Sequence, residues 1–169
     1  AASFIAGATV CYSKGSYQQA LDLHENALKI KLAKLGPEHP DVAASYNGMA
    51  CTYYSQGQRL DKALQLFEKA RLIRCLKLGA DHPDVAASFN NMAAVYLSQG
   101  SYTKALELNT KALSIQIPRL GKDHPDVAQS YHNMANAYFN QGRCEQALEL
   151  YEKALVTFTT KLGLDHRHV

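Results

Sequence analysis

Seven histidines, four cysteines and fifteen Asp and Glu are the residues of this 169-residue chain with the chemistry of ligation, nucleophilic attack or proton transfer. Three histidines stand in one recurring string, His39-Pro40-Asp41, His82-Pro83-Asp84 and His124-Pro125-Asp126, at steps of 43 and 42 residues. One histidine per structural unit is held a unit away from the next, far beyond joint ligation at roughly 2.1 Å. His166 and His168 form a closer pair near the end of the sequence, but two ligands make at best a weak metal site. Cys11, Cys51, Cys75 and Cys144 include no CxxC pair and read as buried thiols of a reducing compartment. Buried thiols are poor nucleophiles, and Cys51 has no evident base opposite it. No P-loop, GxGxxG, GxSxG or HExxH occurs, and Glu149 and Glu152 read as solvated charge. His132 stands among asparagines and lacks the converging partners that catalysis needs. The reading is therefore no enzyme, no catalytic residues, no metal and no cofactor.

The elements that carry these residues follow from the repeat. Val-Ala follows each His-Pro-Asp, Leu-Gly recurs at Leu35, Leu78, Leu120 and Leu162, and a second glycine series runs Gly15, Gly57, Gly100, Gly142. The one extra residue falls in the turn between Gly57 and Ala63. Each unit reads as two helices. Proline suits a first helical position because its missing N–H has no partner there, and aspartate favours the positive end of the helix dipole. From Val85 the apolar positions Phe89, Met92, Ala93 and Tyr96 step by three and four, one face of a helix. A second helix runs from Tyr102 to Gly121, and Ala20, Ala63, Ala105 and Ala147 mark a tight crossing at one recurring site. Pro118 should bend or shorten the third of these second helices. Lys31, Lys34, Arg74, Lys77 and Arg119 crowd their last turns, where the dipole favours cations.

A net charge of +3 argues against a nucleic-acid binder, and no apolar run approaches the ~20 residues of a membrane span. The first residues show no signal peptide, and the absence of an initiator Met predicts a piece of a longer protein.

The repeat resembles the tetratricopeptide repeat, whose small and large positions map onto Phe89, Met92, Ala93, Tyr96, Gly100, Tyr102, Ala105 and Ala112. The 42-residue step, the Leu-Gly…His-Pro-Asp-Val-Ala linker and Phe89-Asn90-Asn91-Met92-Ala93 are similar to the long-repeat subclass typified by the kinesin light chain. Two places depart: Ile5-Ala6-Gly7 replaces Asn90-Asn91-Met92, and the last linker reads His166-Arg167-His168-Val169. The resemblance implies an all-α, right-handed helical-repeat solenoid of about eight antiparallel helices. It would be a single array over 1–169, with repeats at 1–38, 39–81, 82–123 and 124–165. It also implies a cytoplasmic adaptor, possible association with the cytoskeleton through a motor, and a protein or peptide partner. Neither nucleic acid nor membrane insertion is expected.

In that fold the first helices line a concave groove. The segments Val42–Gln56, Val85–Gln99 and Val127–Gln141 contain no Lys, Arg, Asp or Glu, so the groove is neutral and cannot clamp a terminal carboxylate as chaperone-binding members do. Its candidate peptide contacts are Asn47, Asn90, Asn91, Gln129, His132, Asn133, Asn136 and Asn140, with Tyr54, Leu97 and Phe139 as an apolar strip. Asparagine is locally unfavourable within a helix, so its recurrence wants a reason. One reason is a carboxamide ladder that hydrogen-bonds the backbone of an extended peptide. The other is that the amides bond the neighbouring repeat and hold the stack in register. A structural scaffold that joins end to end through uncapped repeats is the alternative function.

Overall fold

The computed structural model describes the backbone of residues 1–162 and the side chains of residues 1–160. The linker at His166 and His168 lies outside the described residues. The described residues form eight helices: α1 (Ala2–Ser13), α2 (Tyr17–Leu35), α3 (Pro40–Gln56), α4 (Leu60–Leu78), α5 (Pro83–Ser98), α6 (Tyr102–Leu120), α7 (Pro125–Asn140) and α8 (Cys144–Leu162). No strand occurs among them, and the fold is an all-α helical repeat. The chain falls into two compact units, Ala1–Ala80 with α1–α4 and a second beginning at Asp81 with α5–α8.

Within each unit the helices pair in chain order. In the first, α1 packs on α2, α2 on α3 and α3 on α4; in the second, α5 packs on α6, α6 on α7 and α7 on α8. The crossing alanines are buried throughout, at 0% exposure for Ala20, Ala63 and Ala105 and 2% for Ala147. Val42, Val85 and Val127 are likewise sealed, which contributes about 1.5–3 kcal/mol for each such side chain removed from water. Cations reach back over first-helix rings, Lys104 of α6 over Tyr96 and Arg143, in the turn just before α8, over Tyr138.

The His-Pro-Asp string works as a cap. His39, His82 and His124 are the N-caps of α3, α5 and α7, and each Nδ1 accepts the backbone N–H two residues on, at 3.1 Å. The imidazole thus takes the place of the usual Ser, Thr, Asp or Asn oxygen. Proline supplies N1 and aspartate the first turn. At the other end of α3, Gly57 takes φ +72°, the left-handed conformation that ends a helix without Cβ strain.

Three expectations are corrected. Pro118 does not shorten its helix: α6 runs to Leu120 and, at 19 residues, equals α2, α4 and α8. At that last turn proline forfeits one helical N–H bond, and less than one turn lies beyond it. Lys31 does not sit in solvent as a dipole-facing cation; it is buried, and its Nζ donates to Ser45 Oγ at 3.0 Å and to the Asp41 carbonyl at 2.8 Å. The cysteines are free thiols but not buried ones. Cys11, Cys51 and Cys75 are half-buried, and Cys144 is exposed because it opens α8 at the helix end.

Candidate functional site

The first helices carry the amides named from the sequence, and in the second unit those amides divide into two kinds. In the second unit Asn90 of α5 is buried. Its Nδ2 donates to Ser130 Oγ of α7 at 2.7 Å, and the Ser130 hydroxyl donates in turn to Gln116 Oε1 of α6 at 2.7 Å. One serine therefore ties three helices together, as a buried polar group must be partnered. Asn90 is a stacking residue in this structure, which favours the register role over peptide contact at this position.

His132 occupies the same repeat position on α7 as Asn90 does on α5. Its ring meets that of Tyr151 of α8 edge to face, with centroids 5.5 Å apart. The Tyr151 hydroxyl donates to Asn136 Oδ1 at 2.5 Å, and burial raises the pKa of that phenol. His132 and Asn136 thus bind the second helix of their own repeat. Asn140 Nδ2 donates to the Asn136 carbonyl at 2.7 Å.

Gln129 and Asn133 behave differently. Both are half-buried on α7, and Gln129 Nε2 donates to Asn133 Oδ1 at 3.1 Å. That bond uses one donor and one acceptor. It leaves Gln129 Oε1 as an acceptor and Asn133 Nδ2 as a donor, side by side and without another partner among the described residues. Asn91, one helical residue from Asn90, is half-buried on α5. Of the apolar strip in this unit, Leu97 is half-buried and Phe139 is 59% exposed.

In the first unit Asn47 and Tyr54 of α3 are half-buried, and Asn47 Nδ2 lies 3.8 Å from Cys51 Sγ as a weak donor. Burial raises the Cys51 thiol pKa, and the Arg74 charge pulls the other way more weakly, so the thiol form dominates. Where α5 and α7 carry Asn91 and Asn133, α3 carries Gly48. The reason is His24 of α2, a buried imidazole whose Cε1 stands 2.7 Å from where a Cβ at Gly48 would lie. Burial, helped by the nearby Lys31 charge, holds the His24 pKa below its ordinary 6.5. Sequence reasoning passed over His24. The signal was there, since among the described residues the only first-helix glycine past the first repeat accompanies the only histidine inside a second helix.

A cleft of about 490 Å³ opens elsewhere on the second unit, between α8 and the α6–α7 linker. Lys122, Asp123, Glu149, Glu152 and Lys153 give it both signs of charge around Tyr131. Among the described residues no three His, Cys, Asp or Glu side chains gather as a metal site. No described helix is long and apolar enough to cross a membrane.

The sequence profile of the tetratricopeptide repeat matches residues 8–75, 57–117 and 84–157. Among solved structures, a Podosopora anserina protein described as a kinesin light chain with nearly identical TPR-like repeats is 30% identical, with a TM-score of 0.78. A single-substitution form of that protein is also 30% identical, with a TM-score of 0.79; in both cases the match covers 98% of this chain and 78% of that one. BtubC (BKLC) from P. vanneervenii shares the fold at 23% identity and a TM-score of 0.81, over 95% of this chain and 63% of that one. No sequence among the curated proteins matches.

Proposed function

The chain belongs to the tetratricopeptide repeat family, whose repeats mediate protein–protein interaction, and from that premise we propose that its first helices bind an extended peptide segment of a partner. The Gln129–Asn133 pair carries the reading. A peptide unit offers one C=O and one N–H, and this pair presents one donor and one acceptor on a helix that has no charged side chain beyond its first turn. Such a contact reads main chain rather than sequence. Asn91 and Asn140 extend the polar surface, while Tyr54, Leu97 and Phe139 add apolar contact for partner side chains. Asn90 has no part in capture, because Ser130 consumes it. Asn47, His132 and Asn136 act beside the peptide rather than as its main contacts.

The finer reading is an adaptor that carries the segment of a cargo protein, as the resemblance to kinesin light chains suggests. Fold alone does not fix that role, and it stands on the resemblance. The test is binding to an array of extended peptides, read by fluorescence polarisation. Gln129→Ala/Asn133→Ala should abolish capture with helix content and Tm unchanged. Retained affinity in that variant would remove the amide pair from the mechanism.

A further inference from the structure

Resting on the peptide-binding reading above, we infer that the captured segment runs along α7 with its N-terminal side at Asp126, and that a Lys or Arg of the partner sits there. Direction follows from the amide pair. Gln129 and Asn133 stand about one turn apart, so the pair lies along the helix axis. The bond from Gln129 Nε2 to Asn133 Oδ1 leaves the unused acceptor, Gln129 Oε1, toward the start of α7 and the unused donor, Asn133 Nδ2, toward its end. A residue of an extended chain turns its own N–H and C=O to one side, as in an antiparallel ladder. Its N–H comes first along the chain and meets Gln129, and its C=O follows and meets Asn133. The segment is therefore parallel to α7.

Asp126 shares that face of the helix. Seven residues separate it from Asn133, which returns a helix to within about 20° of the same direction. Three separate it from Gln129, about 4.5 Å along the axis. An extended chain covers roughly 3.3 Å per residue, so the partner residue at Asp126 stands about two places before the contacted one. The Asp126 side chain is 58% exposed. Its cap uses the backbone alone, since the N–H donates to His124 Nδ1 and the carbonyl accepts from Ser130. Nδ1 accepts there and holds no proton, so the imidazole is not the counter-charge of the carboxylate. No Lys or Arg pairs with Asp126 among the described residues. This exposure belongs to the position and not to the end of the sequence. Asp84, at the same place on α5, which α7 follows and packs upon, is 56% exposed. Ala87 and Asn91 are half-buried there, as Gln129 and Asn133 are on α7.

The sign of charge reverses along these two helices. At their starts stand the carboxylates Asp84 and Asp126, and near their ends stand the cations Lys104 and Arg143, over Tyr96 and Tyr138. Between them neither helix carries a charged side chain. In the linker before α7, Lys122 and Asp123 offset each other. The α7 dipole places about half a positive charge at its start, which the full charge of the carboxylate outweighs. A cation on the N-terminal side of the segment is therefore attracted, and one on its C-terminal side is repelled.

Fluorescence polarisation with three labelled probes tests this. All share an uncharged core of alternating threonine and valine, residues that favour an extended chain. The first carries lysine on the N-terminal side of the core, the second carries it on the C-terminal side, and the third has glutamate in place of the first probe's lysine. The wild-type chain should bind the first about fivefold more tightly than either of the others, and the gap should shrink as salt rises. Asp126→Asn should bring the first probe to the affinity of the second, with helicity by circular dichroism unchanged. Equal binding of the first two probes by the wild type, or a gap that survives Asp126→Asn, would overturn the inference and leave capture standing. A wild-type chain that captures none of the probes would sink the peptide-binding reading and this inference with it.

Discussion

The α2–α3 seam of the first unit and the α6–α7 seam of the second occupy the same repeat positions with different chemistry. In the first, a buried ammonium, Lys31, donates to Ser45 and to the Asp41 carbonyl, beside a buried imidazole, His24, that lies against Gly48. In the second, Gln116 and Asn90 share Ser130 in a neutral chain of hydrogen bonds. The serine and its helix are common to both; the groups that reach it are not. The backbone therefore demands a partnered polar contact at this place rather than one residue type. The difference lies in protons: the neutral network has no group to titrate on mild acidification, while the first seam holds an imidazole whose protonation burial and the Lys31 charge oppose.

The comparison breaks most sharply at Gly48. Gly48→Asn, which installs the residue found in the next two repeats, drives a side chain into the His24 ring and should destabilise the protein by about 3 kcal/mol. His24→Ala opens that space, so the double variant should recover most of the loss; additive losses in urea unfolding would show that His24 is not the obstacle. Next in size is the serine. Ser130→Ala strips Asn90 and Gln116 of a shared buried partner and should cost about 2 kcal/mol. Ser45→Ala leaves Lys31 its bond to the Asp41 carbonyl and should cost about 1 kcal/mol. Equal losses would mean that the two seams use their serines alike.

Proton uptake gives a smaller effect, confined to the first unit. The folded pKa of His24 lies below 6.5, so below that pH the unfolded chain binds more protons than the folded one. Its stabilising share is complete above pH 6.5 and is lost as pH falls through that value toward the folded pKa. Thermal melts between pH 8 and pH 5.5 should show the fall, and His24→Phe, the residue at the same position in α4, should flatten it. A slope that survives His24→Phe would assign the proton elsewhere. Smallest of all, Cys144 should react first with a thiol reagent and leave the melting temperature unchanged, with Cys51 lagging because burial raises its pKa.

Much of the fold was legible. Proline and aspartate after each histidine located the starts of α3, α5 and α7, and the recurring Leu-Gly pairs located the ends of α2, α4 and α6, because these residues act through local backbone geometry. The capping role of the histidines escaped, since imidazole is a rare substitute for a hydroxyl or carboxylate at that position. The candidate site was less legible. Asn90 and Asn91 are neighbours of one type on one helix, yet Asn90 is sealed on Ser130. Lys31 read only as one of the cations near a helix end, and its burial on Ser45 had no local signal.

The helical repeat, the helix limits and the charge-free first helices follow from the chain alone, because periodicity, caps and composition are properties of a short stretch of residues. Which amides serve stacking, and which present a donor and an acceptor outward, emerged with the packed helices. Adjacent helical residues differ by about 100° in direction, and what each one meets depends on how the neighbouring helices cross it. That crossing is set by packing between residues far apart in the chain, such as Asn90 and Ser130, and no local pattern encodes it.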